Sequence, residues 1–132
     1  MTKSEAQHIL QSIHYYDQSN AMYSKWIMPG KYRHIPALHE VMVKIAEETI
    51  NRNNKQRSAA MKLLEYAANE RDKDILYRYY VLCQNYFDIG EDLFYSYNHV
   101  MRLKADALKR LAQNVTSAGN DNKILTEGEV SI

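Results

Sequence analysis

The residues best equipped for chemistry stand at the head of the last helical segment, Tyr97-Asn98-His99-Val100-Met101-Arg102. On a helix, Tyr97, Asn98, Met101 and Arg102 fall opposite an apolar stripe of Val100, Leu103, Ala107, Leu108 and Leu111. An asparagine amide matches the major-groove edge of adenine, and an arginine fork matches that of guanine. A tyrosine can touch a thymine methyl or donate to a phosphate. These four are the candidate base-facing residues. Lys104 and Tyr86 are candidate phosphate contacts. The same helix carries Arg102, Lys104, Lys109 and Arg110 against a single acid, Asp106, whereas the segment before it holds Asp88, Glu91 and Asp92. Basic residues on one helix are more often a solvated face, and the net charge of +1 is no footprint of a polyanion binder by itself.

Other chemistries lack their residues. His8 and His14 do not share a helix face, and His39-Glu40 has Val43 where a second helical ligand would stand. No metal site is expected. Glu47, Glu48, Glu65 and Glu70 lack the spacing that would converge on one ion, and there is no glycine-rich phosphate loop. The single cysteine, Cys83, excludes an internal disulfide and a cysteine-based zinc site. With no histidine near it in sequence, it is expected to be a buried structural thiol. No catalytic set and no cofactor are expected, so the chain is not read as an enzyme.

The elements that position these residues are helical. Four Gly and two Pro in 132 residues argue against a turn-rich β protein. Apolar residues make up 45% and charged residues 25%, ordinary for a globular chain. No apolar run could span a bilayer, and no secretory segment is read after Met1, so a cytoplasmic setting without membrane contact is expected. A first helix from about Thr2 to Met28, with Ser4 as its candidate cap, carries a seam of Ala6, Ile9, Ile13, Tyr16, Tyr23 and Ile27. Asn20 sits in that seam, either fixing register between chains or at the wet edge of an intramolecular pair. Pro29-Gly30 stops the helix, and a loop with Tyr32, Arg33 and His34 follows. A second helix from near Ala37 bears Leu38, Val41, Met42 and Ile45. Its polar middle, Asn51 to Arg57, is either a solvated section or a break.

After Asn69 the pattern is a helix with Ile75, Leu76, Tyr79 and Leu82 on one face, a connector at Cys83–Asn85, and a short helix from Tyr86 to Leu93. Phe94-Tyr95 then makes a turn, and Ser96 caps the last helix. The expected division is therefore a helical hairpin over 1–69, coiled-coil-like and serving as an oligomerisation arm, a three-helix unit over 70–113, and a disordered tail over 114–132. Such a three-helix order is the outline of a helix-turn-helix.

From Arg71 to Ala112 the chain resembles region 4 of sigma-70 factors. It is similar above all to the small phage and prophage transcriptional regulators of the ArpU-like type. RDKDILYRYY, YFDIGEDL and YSYNHVMRLKADALKRL carry the resemblance, with Ile89, Gly90, Leu93, Ser96, Val100, Leu103, Ala107, Leu108 and Leu111 falling in order without a gap. It implies an all-α fold, sequence-specific binding of double-stranded DNA in a bacterial cell, transcription regulation, a homodimer and contact with host RNA polymerase. The chain departs from the pattern at Phe94, where relatives carry Gly or Asn, and at Tyr97, often Arg in sigma factors. A phage small terminase subunit combines similar parts and is the main rival. A protein-binding inhibitor of host machinery built on the same unit is the other.

Overall fold

The computed structural model describes residues 1–28, 30 and 34–119. The described residues form five α-helices and no strand: α1 (Lys3–Ile27), α2 (Pro36–Lys62), α3 (Glu70–Tyr80), α4 (Tyr86–Leu93) and α5 (Tyr97–Ser117), with a 3-10 turn at Leu63–Tyr66 between α2 and α3. The expected all-helical class is met. Tyr32 and Arg33 of the expected loop, and the tail from Asn120 on, lie outside the described residues.

The helix starts follow from capping chemistry. Thr2, rather than Ser4, caps α1 by accepting a hydrogen bond from the Glu5 amide at 3.1 Å. Pro36 opens α2, where its missing N–H costs nothing. Asn69 caps α3, Asn85 caps α4 and Ser96 caps α5, each accepting from a backbone amide three residues on. Helix α3 ends at Tyr80, so Leu82 falls in the connector and is exposed, while Tyr80 takes the buried position expected for it.

Helices α1 and α2 pack side by side, and polar residues hold much of the seam. Asn20 donates to Asn54 at 3.0 Å and accepts from Asn53 at 3.0 Å. Asn53 also donates to Ser19, and Arg57 donates to Asp17 at 2.6 Å. Helix α2 runs unbroken through its polar middle because Asn53 and Gln56 are buried against α1 rather than solvated. Asn20 is thus part of an intramolecular polar ladder. Of the apolar seam read for α1, Ala6 and Ile13 are fully buried, together with Leu10.

One core crosses the boundary expected near residue 69. Ala6, Leu10 and Ile13 of α1 meet Leu63 and Leu64 of the 3-10 turn, Leu76 and Tyr80 of α3, and Leu108, Leu111 and Val115 of α5. The division into an arm and a separate C-terminal unit therefore does not correspond to two cores. The expected start of the tail also moves. Helix α5 continues to Ser117, and Val115 is fully buried, because the apolar stripe of α5 runs one turn further to cover α1.

A half-buried ion pair ties α3 to α5. Asp72 is fully buried in the first turn of α3, where the helix dipole favours a carboxylate. Arg110 grips it with two parallel hydrogen bonds, Nε to one oxygen at 2.7 Å and Nη2 to the other at 2.9 Å. That hydrogen bonding holds the guanidinium above its ordinary pKa. Removing Arg110 would leave the buried carboxylate only the longer contact to Arg71 Nη2 at 3.8 Å. Arg110→Ala is therefore expected to lower unfolding free energy by about 2 kcal/mol, read from urea melts, with Arg110→Lys recovering only part because an ammonium cannot bond bidentately.

Candidate nucleic-acid interface

The approach of α5 to α4 begins with a short turn. Asn85 starts α4, and Phe94 ends it in the left-handed region at φ 61°. The Tyr95 amide donates back to the Gly90 carbonyl at 2.9 Å. A Cβ on residue 90 would meet the Tyr95 carbonyl oxygen at 2.5 Å, so only glycine lets the turn fold this tightly over α4. Ser96 then accepts from the His99 amide at 3.2 Å and launches α5.

The rotation of α5 agrees with the apolar stripe. Val100, Leu103, Ala107, Leu108 and Leu111 are buried. Tyr97, Asn98, Met101 and Arg102 are exposed together on the opposite side of the first two turns. These four candidate base-facing residues therefore share one accessible strip. Lys109, one of the basic residues of the same helix, is exposed further along.

Lys104 and Tyr86 do not join them. Lys104 is only 8% exposed and lies over the Tyr79 ring, with Nζ at 4.2 Å from its centroid. It donates to the Tyr86 hydroxyl at 3.1 Å. Tyr86 stacks on Tyr79 at 5.1 Å, and Tyr97 meets Tyr86 edge-on at 5.4 Å. The two residues expected at phosphates are instead turned toward each other in a tyrosine box. The long lysine stem is apolar, and three rings attract its cation, so the box competes successfully with solvent. Burial, the largest influence, lowers the Lys104 pKa. Arg110 is likewise committed to Asp72, which leaves Arg102 and Lys109 as the outward cations among the basic residues of α5.

The turn presents aromatic surface as well. Phe94 is 94% exposed, Phe87 61% and Tyr97 51%. They rim an open cleft of about 520 Å³ whose floor includes Gly90 and Ser96. On the other side of the tyrosine box, the Cys83 thiol is exposed and its Sγ lies 3.1 Å from His14 Nδ1. The expectation of a buried structural thiol is overturned. Cys83 is the left-handed residue (φ 57°) that closes the end of α3, with the Gln84 amide bonded back to the Arg78 carbonyl, and this backbone turns the side chain outward. Sequence reading missed its histidine because His14 lies on α1, distant along the chain and adjacent only after folding. Among the described residues, no group of three or more His, Cys, Asp or Glu could hold a metal ion.

Comparison with family models, with curated proteins and with solved structures finds no match. Among the described residues, no helix is long and apolar enough to cross a membrane.

Two stability measurements probe this geometry. Phe94 adopts a backbone conformation that a bulky residue enters at a cost, and its ring contacts almost only solvent. Phe94→Gly is expected to raise unfolding free energy by about 1 kcal/mol in urea melts. The tyrosine box makes the second prediction. Burial, then the neighbouring Tyr79 and Tyr86 hydroxyls, push the Tyr80 phenol well above its ordinary value of 10.0. The raised folded pKa contributes stability that is fully present below pH 10 and is lost as pH rises through the folded value. Alkaline titration followed by phenolate absorbance should show a late-titrating class, and Tyr80→Phe should remove one group from it.

Proposed function

We propose that α4, the Phe94–Ser96 turn and α5 act as a helix-turn-helix that binds double-stranded DNA sequence-specifically, with the N-terminal half of α5 in the major groove. The observation that carries this reading is the strip of Tyr97, Asn98, Met101 and Arg102, exposed side by side on a helix whose opposite face is locked into the core. Asn98 and Arg102 have the donor and acceptor pattern for adenine and guanine edges. The reading extends, through the resemblance to ArpU-like regulators, to transcription control in a bacterial cell of phage or prophage origin, with host RNA polymerase as the protein contact. Electrostatic steering is modest, because Lys104 and Arg110 are engaged internally. Discrimination then rests on base contacts more than on phosphate charge.

A homodimer is part of the proposal. Leu38, Val41 and Ile45 are 40–55% exposed on α2 at i, i+3 and i+7, the spacing of a helix-pairing stripe. A ring-sized mass in light scattering would favour the terminase-like reading over the dimer.

A second reading has its own support. Phe87, Phe94 and Tyr97 form an exposed aromatic rim with few outward cations nearby, which suits a protein surface better than a phosphate backbone. In that reading the unit inhibits a host protein and shows no salt-dependent DNA affinity.

The deciding experiment selects bound sites from genomic DNA, footprints them, and measures affinity for site and random duplexes at several salt concentrations. Arg102→Ala is expected to weaken specific binding by about 1–3 kcal/mol and leave random-duplex affinity nearly unchanged. Equal losses on both would assign Arg102 to phosphate. Aspartate at adjacent positions separates folding from recognition. Val100 is fully buried, so Val100→Asp should cost several kcal/mol of stability and abolish cooperative melting. Met101 is 40% exposed, so Met101→Asp should melt close to wild type yet lose specific binding.

A further inference from the structure

We propose that the cleft at the α4–α5 turn docks a basic segment of a partner protein, anchored by an arginine that enters among Phe87, Phe94 and Tyr97 and pairs with Glu91. This gives a partner chemistry to the aromatic rim of the protein-binding reading, and it rests on that reading rather than on entry of α5 into a DNA groove. The cleft holds about 520 Å³, with Gly90 and Ser96 in its floor.

Helix α4 sets the chemistry of the rim. Phe87 and Glu91 stand at i and i+4 on one face, and Phe94 at the helix end lines the same cleft. Tyr97, the first residue of α5, completes the lining. Neither phenylalanine ring meets another ring among the described residues, so both offer open surface. Phe94 gives the core nothing: its ring is 94% exposed, and its backbone sits at φ 61°, where a bulky residue is costly. Such a residue fits a contact role better than a structural one.

Charge decides the occupant. Asp88 and Glu91 are exposed, and among the described residues their carboxylates have neither an ion pair nor a hydrogen bond. Asp92, the third acid of α4, is instead held by Arg78 at 2.9 Å. Helix α4 carries no basic residue of its own. Ring faces attract a cation, and a carboxylate accepts two N–H groups from one guanidinium. Arginine meets both demands at once, because its plane stacks on a ring while its fork reaches the acid. A lysine ammonium is a strongly hydrated point charge and does this less well. The same two carboxylates repel phosphate, so a nucleic-acid backbone is a poor occupant. The turn is already pinned by the hydrogen bond from the Tyr95 amide to the Gly90 carbonyl, which lowers the ordering cost of docking.

The test titrates the isotopically labelled full chain, followed by amide NMR shifts, with a glycine–serine peptide carrying two arginines. The same peptide with lysine, glutamate or leucine in their place is titrated in parallel. The arginine peptide should shift the amides of Phe87, Glu91, Phe94 and Tyr97 and bind about tenfold more tightly than the lysine peptide. Glu91→Gln should weaken it about fivefold. Phe94→Gly separates recognition from folding, since it should weaken the arginine peptide about threefold or more while raising the urea midpoint. Equal affinity for the arginine and lysine peptides, or unchanged binding in Phe94→Gly, would overturn the arginine site. Tighter binding of the leucine or glutamate peptide at the same amides would overturn the basic partner but keep the rim as a protein surface. No shift at these amides with any peptide would overturn both, and a DNA duplex that shifts them instead would assign the rim to nucleic acid.

Discussion

The bidentate pair between Asp72 and Arg110 is the constraint on which the C-terminal half depends. Asp72 sits in the first turn of α3 with no exposure, and the partly exposed Arg110 reaches it from α5. An arginine fork and a carboxylate have one good mutual geometry. That geometry fixes both the axial position and the rotation of α5 against α3. The buried stripe from Val100 to Val115 is then committed to the core, and the strip from Tyr97 to Arg102 to the outside. A purely apolar interface would tolerate sliding by a turn more easily, because burial is non-directional. The orientation of the exposed Tyr97–Arg102 strip is thus held by an interaction more than two helical turns beyond it.

The same helix shows how one residue type is divided among jobs. Of its four basic residues, Arg110 is spent on Asp72 and Lys104 on the tyrosine box. Arg102 and Lys109 face outward. The box is a structural device. Tyr79, Tyr86 and Tyr97 join the end of α3, the start of α4 and the start of α5 through ring contacts, and Lys104 sits among them. It braces the start of α5 against α4 and the end of α3. Two of the four basic side chains of α5 are thereby withdrawn from its outer surface.

Much of this was legible in the sequence, and what was not has a common cause. The helices, the Ser96 cap, the Phe94 turn and the Val100–Leu111 stripe follow from local rules: capping, turn residues and a period near 3.6. The strip of Tyr97, Asn98, Met101 and Arg102 follows from the same period. The fates of Lys104, Tyr86 and Arg110 do not, because each depends on partners set by tertiary packing. A basic residue on a helix carries no mark that an aspartate from another helix awaits it. The polar middle of α2 misled in the opposite sense. Asn53 looks solvated in sequence, but Ser19 and Asn20 stand opposite it on α1. The boundary near residue 69 looked like a domain junction because the turn signals there are strong. The stripe on α1 needed a partner, however, and the end of α5 supplied it.

That shared core also bears on how the two halves communicate. Helix α1 is packed on α5 through Leu10, Ile13, Leu111 and Val115, so the helix that carries the exposed Tyr97–Arg102 strip shares its core with the N-terminal hairpin. The seam between α1 and α2 is polar along Asn20, Asn53 and Asn54, and polar pairs hold register more strictly than aliphatic ones. Any surface that pairs the outward stripe of α2 with a second chain would therefore act on a rigid two-helix unit rather than on a loose arm. Midway along α1, His14 faces Cys83 and the adjacent Ile13 is buried in the core. Helix α1 is thus fixed twice, in the core through Ala6, Leu10 and Ile13 and against α2 through the polar ladder at Ser19 and Asn20 further along.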